Sequence, residues 1–176
     1  MNILVVTGSP RKNGNTEIMA NVFAEGAKEA GNIVHAINLS GVKVNPCLSC
    51  GYCRMHNGDC IQKDGMQEIY KVMEKADMIV YASPIYYFAI SAQIKAVIDR
   101  FYAKGQVGYN IKYAALLLDS QSPDVYDSAI SEYKAINNYL NWKDKGIITI
   151  KGMSGKGDMA KSSELKKVKE FGKSIK

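Results

Sequence analysis

At 176 residues and 19.4 kDa the chain fits one domain of ordinary size, able to bury a core without help from disulfides or a structural metal. Its net charge of +6 sits at the C-terminal end, where residues 151–176 hold eight Lys against Asp158, Glu164 and Glu170, leaving +1 for residues 1–150. This basic stretch reads as a solvated helix face, not as a surface for nucleic acid or an acidic partner.

The start, MNILVVT, shows no basic region, cleavage site or apolar run near twenty residues, so no secretion and no membrane span are expected and the chain reads as cytoplasmic. Ile3-Leu4-Val5-Val6 is short, branched and unalternating, the pattern of a parallel strand buried on both faces. It runs into the turn chemistry TGSPRKNGNT. From Thr16 to about Ala30 the apolar residues Met19, Val22, Phe23, Ala27 and Ala30 recur at helical spacing, and Gly31 closes the segment. A second strand is predicted over Ile33 to Leu39.

Residues 42–62 then form a loop inserted after that strand, and it carries all four cysteines: PCLSCGYCRMHNGDC. Loops of this length need something to order them. A helix beginning near Asp64 follows, with Met66, Ile69, Tyr70 and Met73 on one face, and then a strand from Met78 to Ala82. The loop SPIYYFAI leads to a helix with Ile94, Val97, Ile98 and Phe101 inward. Ala114 to Leu118 predicts a fourth strand, Val125 to Leu140 a helix, Ile147 to Ile150 a fifth strand, and the Lys-rich tail a last helix with Leu165, Val168 and Phe171 inward.

Alternation of strand and helix implies an α/β chain with one parallel sheet, helices on both faces and right-handed crossovers. The expected architecture is a flavodoxin-like three-layer sandwich, five strands in the order 2-1-3-4-5, as a single domain over residues 1–176. Its ligand site lies at the carboxyl ends of the strands, where the order reverses.

Three loops fall on that edge. In the first, Ser9, Arg11, Asn13, Gly14, Asn15 and Thr16 lead into a helix N-terminus, where free N–H groups, two hydroxyls, an amide and a guanidinium suit phosphate. Spacing excludes a Walker loop, because five residues separate Gly8 from Gly14 and Asn15 follows; no G-x-G-x-x-G is present after the first strand. A phosphoacceptor receiver is disfavoured by Thr7 and Ser83 at strand ends where that fold would place acidic residues. In the second loop, Ser83, Pro84, Ile85, Tyr86, Tyr87 and Phe88 offer three consecutive aromatics for stacking on a planar ligand. The third contributes Asp119 and Ser120.

GSPRKNGNT, SPIYYFAISAQIKAVIDRF and the cysteine-rich segment between them resemble the NADPH-dependent FMN reductase family of flavodoxin-like proteins, and C-x2-C-x2-C-x6-C resembles its iron-sulfur flavoprotein branch. The resemblance implies an FMN phosphate held by Ser9, Arg11, Asn15 and Thr16, and an isoalloxazine ring along Pro84, Ile85, Tyr86, Tyr87 and Phe88. It also implies a homodimer or homotetramer in which a neighbouring subunit helps to enclose the flavin. The implied activity is electron transfer from NAD(P)H, or from a protein donor such as a ferredoxin, through FMN to a small-molecule acceptor such as a quinone, nitro compound, ferric chelate or dioxygen. The flavin carries that chemistry, so no catalytic side chain is sought, and neither His35 nor His56 is needed as a base.

Cys47, Cys50, Cys53 and Cys60 have three readings. They hold a [4Fe-4S] cluster, which the first three match by ferredoxin-like spacing while the fourth departs from it; they hold tetrahedral zinc; or the loop binds no metal and covers the flavin. A cluster would make the chain an electron-transfer relay, and its absence a nicotinamide-dependent reductase. In either case the segment is expected to reach the ligand edge of the sheet.

Overall fold

The computed structural model describes residues 1–176. In chain order it contains β1 (Asn2–Thr7), α1 (Asn15–Glu29), β2 (Ile33–Asn38), α2 (Tyr52–Met55), α3 (Met66–Met73), β3 (Met78–Pro84), α4 (Ala92–Lys104), β4 (Tyr113–Asp119), α5 (Asp127–Leu140), β5 (Lys143–Ile150), a 3-10 turn (Asp158–Lys161) and α6 (Leu165–Ser174). The sheet is parallel throughout, in the expected order β2-β1-β3-β4-β5.

Burial of β1 on both faces divides the core in two. Ile3 and Val5 join Met19, Phe23, Val168 and Met159 under α1 and α6, whereas Leu4 and Val6 join Ile69, Ile94, Phe101 and Trp142 under α3, α4 and α5. The unalternating apolar run of β1 is what this double burial requires.

Two elements depart from the sequence expectation. β5 begins at Lys143, not Ile147, because as an edge strand it tolerates the polar stretch Lys-Asp-Lys-Gly. Its start is fixed by Asp144, whose Oδ1 accepts from the Tyr133 hydroxyl and the Gly146 N–H, both at 2.8 Å, and the ladder shifts register there. The short α2 lies inside the cysteine loop, where no apolar periodicity announced it.

The basic tail does form a helix, and part of its charge is internal: Lys169 and Lys173 of α6 pair with Glu29 of α1 at 2.8 and 3.4 Å. Between them the two helices meet backbone to backbone. A Cβ at Gly26 would lie 2.2 Å from the Lys169 carbonyl oxygen, and one at Gly172 2.2 Å from that of Phe23. Neither neighbour can rotate away. Gly26→Ala is therefore expected to destabilise the fold by about 1–3 kcal/mol, the usual cost of overpacking, while Gly41→Ala, with open space around it, serves as a near-neutral control in thermal melts.

Candidate functional site

The first loop leaves the sheet through a gap that only glycine passes. Gly8 donates its N–H to the Ala82 carbonyl at 2.8 Å, and a Cβ there would lie 2.2 Å from Ile94 Cγ1 and 2.5 Å from Ser91 Oγ. α1 then starts without a side-chain cap: Gly14 occupies that position, and the N–H groups of Asn15, Thr16 and Glu17 have no acceptor within the chain. Four unspent donors and the positive end of a 15-residue helix are an anion site in the making, counting the Ser9 hydroxyl as the fourth. Ser9 is buried and accepts from the Arg11 N–H at 3.2 Å, which leaves its own proton free. Arg11 is exposed and makes no ion pair.

Of these residues Ser9, Arg11, Asn15 and Thr16 line a cavity of about 200 Å³, which also takes in Pro84, Ile85 and Tyr86 from the second loop and Asp119 and Ser120 from the third. Gln121, Met153 and Ser154 line it as well, and sequence reasoning did not select them. The available signal was the Gly- and Ser-rich stretch KGMSGKG after β5, which ends on the same edge. Backbone bonds carry the ladder into these loops: Ile85 N–H to Asp119 O at 2.8 Å, Ser120 N–H to Ile150 O at 3.0 Å, and Met153 N–H to Ser120 O at 2.9 Å.

Several predicted contacts have other duties in this structure. The Asn15 side chain donates to Gly155 O at 2.8 Å and accepts from the N–H groups of Gly157 and Met159, so its amide ties the loop after β5 to α1 and only its backbone N–H faces an anion. Thr16 donates to Asp119 Oδ1 at 2.5 Å. Asn13 is exposed with its N–H on Glu17, and Gly14 serves close packing, since a Cβ there would meet the Arg11 carbonyl oxygen at 2.9 Å. Ser83 lies behind the site, accepting from Ser91 N–H and donating to Pro84 O. Ser120 bonds Ser122 O and the Tyr126 hydroxyl.

The aromatic triplet is split. Tyr86 lines the cavity, whereas Tyr87 and Phe88 form the tip of a tight turn closed by Tyr86 and Ala89, with φ of 50° and 68°, and are 96% and 55% exposed. Positive φ at both central residues is the geometry of a two-residue hairpin turn, and it turns their rings out of the cavity.

All four cysteines are free and line one open cavity of about 620 Å³. Cys53 and Cys60 pack against the apolar core, and Cys47 and Cys50 are exposed. Gly51 and Gly58 supply the left-handed turns between them, with φ of 71° and 77°. No three His, Cys, Asp or Glu side chains converge on a metal-ion position, although all four thiols line the same cavity.

The segment does not reach the ligand edge. Its cavity is completed by Asp99, Arg100, Tyr102 and Ala103, in the second half of α4, whereas α4 begins at that edge with Ser91 as its cap. At 1.5 Å per helical residue the thiol cavity stands roughly 12–18 Å along α4 from the phosphate edge. The two cavities share no residue. The cause is a buried ion pair: Arg100 of α4 holds Asp64 with two N–H groups at 3.0 and 3.2 Å and the Asn45 carbonyl at 3.0 Å, tying both ends of the cysteine segment to α4. Burial alone would raise the Asp64 pKa, but Arg100 and the N–H groups of Asn45 and Met66 outweigh it and hold the carboxyl below its ordinary value.

Asp119 is the titrating group of the phosphate edge. Burial pushes its pKa up to about 6, against the opposing hydrogen bond from Thr16. A carboxyl with a raised folded-state pKa contributes stability that is fully present below its unfolded value and is lost as pH rises through about 6. Asp119→Asn removes this dependence, so the melting temperature of the variant minus that of the wild type should climb between about pH 4 and pH 7. A flat difference over that range would remove Asp119 from this role.

The chain's sequence over residues 1–145 matches the family model of NADPH-dependent FMN reductase. An "iron-sulfur flavoprotein" of Archaeoglobus fulgidus is 30% identical over 177 residues, covering 94% of this chain and 77% of that protein. Another, of Methanosarcina thermophila, is 41% identical over 100 residues, covering 57% of this chain and 52% of its relative, so the match takes in about half that protein's length. Among solved structures, a NAD(P)H:quinone oxidoreductase from Methanothermobacter marburgensis superposes with a TM-score of 0.79 at 17% identity, covering 100% of this chain and 96% of that one, a likeness of fold. With a matching family model over most of its length and a free-donor anion site on the edge where such folds bind their ligand, the chain belongs to the NADPH-dependent FMN reductase family.

Proposed function

We propose that the chain is a two-centre oxidoreductase that binds FMN at the carboxyl edge of the sheet and a [4Fe-4S] cluster in the thiol cavity, passing electrons to a small-molecule acceptor. One observation carries the flavin assignment: the uncapped start of α1, with its unspent N–H groups, Ser9 and Arg11 around one cavity. FMN supplies the electron chemistry when bound, accepting two electrons and releasing them singly or together. The protein's share is to bind and orient. The N–H groups of Asn15, Thr16 and Glu17, the Ser9 hydroxyl and the Arg11 guanidinium hold the phosphate, and Pro84, Ile85 and Tyr86 form the adjoining wall. A cavity of about 200 Å³ is smaller than those that enclose a whole ligand of this size, so it accounts for the phosphate end. Tyr87 and Phe88, exposed beside it, are aromatic surface for a second copy to cover, in keeping with a homodimer or homotetramer.

Arg11→Ala is expected to weaken FMN binding by about 1.5–3 kcal/mol, the usual worth of a hydrogen bond to a charged group, in a fluorescence titration. Unchanged affinity would sink the assignment of the first loop.

The cluster assignment rests on four free thiols around one cavity and on relatives named as iron-sulfur flavoproteins. Anaerobically purified or reconstituted protein should contain iron and acid-labile sulfide as well as flavin. Cys50→Ala should keep the flavin and lose the iron, and full iron retention would count against the ligand set. No helix is long and apolar enough to cross a membrane, and a reducing compartment such as the cytoplasm suits exposed thiols.

The electron donor has two readings, NAD(P)H and a ferredoxin-type protein. The matching family model, described as NADPH-dependent FMN reductase, favours the first. Stopped-flow reduction of the bound flavin by NADPH, NADH and reduced ferredoxin in parallel decides between them.

A further inference from the structure

Arg100 is the largest fully buried side chain in the molecule, 1% exposed, and one part of it is unexplained. A guanidinium in a protein interior needs acceptors for its N–H groups, and a buried N–H without one costs free energy. Two terminal nitrogens of Arg100 are satisfied by Asp64 and the Asn45 carbonyl. Its Nε, buried as well, makes no hydrogen bond within the chain, the nearby Tyr70 hydroxyl donating to the Arg100 carbonyl instead. The same side chain lines the cavity that Cys47, Cys50, Cys53 and Cys60 also line. Holding the loop in place explains the fork to Asp64 and Asn45. It does not explain a buried donor left without an acceptor on a residue that lines the thiol cavity.

We propose that Arg100 is the positioning and tuning residue of the thiol centre, fixing the two ends of the cysteine segment and keeping its Nε–H for a sulfur atom of the bound cluster. The inference rests on the cluster reading above. Reduction of a thiolate-bound cluster adds one electron and one negative charge, with no bond made or broken, so a buried cation and an N–H donor to sulfur favour the reduced form and raise its potential. Asp64 works in the opposite sense, partly cancelling the cation. The pair thus sets the potential as well as the loop geometry.

The test compares midpoint potentials of the cluster in holoprotein, titrated anaerobically with dithionite as the one-electron donor and followed by low-temperature EPR, with iron content and flavin occupancy as fold controls. Arg100→Met removes both the cation and the donor and should lower the one-electron reduction equilibrium at least tenfold, a shift of about 59 mV. Arg100→Lys, which keeps a cation without Nε–H, should fall between that variant and the wild type. Asp64→Asn, which leaves Arg100 intact and less neutralised, should shift the potential upward. Variants that lose iron in part while the remaining clusters keep the wild-type potential would overturn the proposal and leave Arg100 a loop staple. Should Arg100→Met retain no cluster at all, the Asp64→Asn potential decides, and no upward shift overturns the proposal. A wild-type protein that holds no iron and sulfide on reconstitution overturns this inference and the cluster reading together, whereas iron-loaded variants with unmoved potentials overturn this inference alone.

Discussion

The first strand governs the rest of the molecule because it is buried on both faces and paired in parallel on both sides, to β2 and to β3. The crossover that leaves β1 and the one that leaves its neighbour β3 run to opposite faces, through α1 and α4, so the loops that start them diverge at adjacent carboxyl ends. The gap between those loops is where the cavity lined by Ser9, Arg11 and the start of α1 lies. Gly8 is the consequence at residue level: the chain must leave β1 against the first turn of α4, and no side chain fits there.

Around that gap the structure divides labour between backbone and side chains. The Asn15 amide ties the first loop to the one after β5, the Thr16 hydroxyl ties it to Asp119 of the third, and the Ile85 N–H ties the second loop to the Asp119 carbonyl, while the groups left for an anion are main-chain N–H groups, Ser9 and Arg11. This is a preorganised arrangement, because N–H groups held by a helix cannot rotate away from their ligand and need little reordering on binding. The buried Asp119 is the odd member, a carboxyl on an edge otherwise built for an anion, kept there by its bond from Thr16 and by the Ile85 N–H on its carbonyl.

The cysteine segment is organised on a different principle. It has little regular structure, and its shape comes from two left-handed glycines and from a buried ion pair that reaches it from α4. Because that pair lies past the middle of α4, the thiols are carried down the flank of the sheet, away from the phosphate edge. Within one chain the thiol cavity and the cavity at the carboxyl edge are separate, with no lining residue in common.

Strand order, the anion-ready first loop and the inward faces of the helices were all legible in the sequence, because each depends on a local pattern: apolar runs, 3.6-residue spacing, glycine and small polar residues at a strand end. The start of β5 was not, since an edge strand can be polar and its register depends on Asp144 meeting Tyr133 from α5. Nor could local pattern tell that Tyr86 would line the cavity while Tyr87 and Phe88 turn outward, or that the Asn15 amide would be spent on Gly155, Gly157 and Met159. These are contacts between residues far apart in the chain or choices of backbone dihedral, and composition does not encode them. The sequence by itself determined that four thiols share one loop of a parallel α/β chain whose first loop starts a helix with small polar residues. Only the tertiary structure decided where that loop lies, because its position is set by a single arginine 36 residues beyond the aspartate it holds.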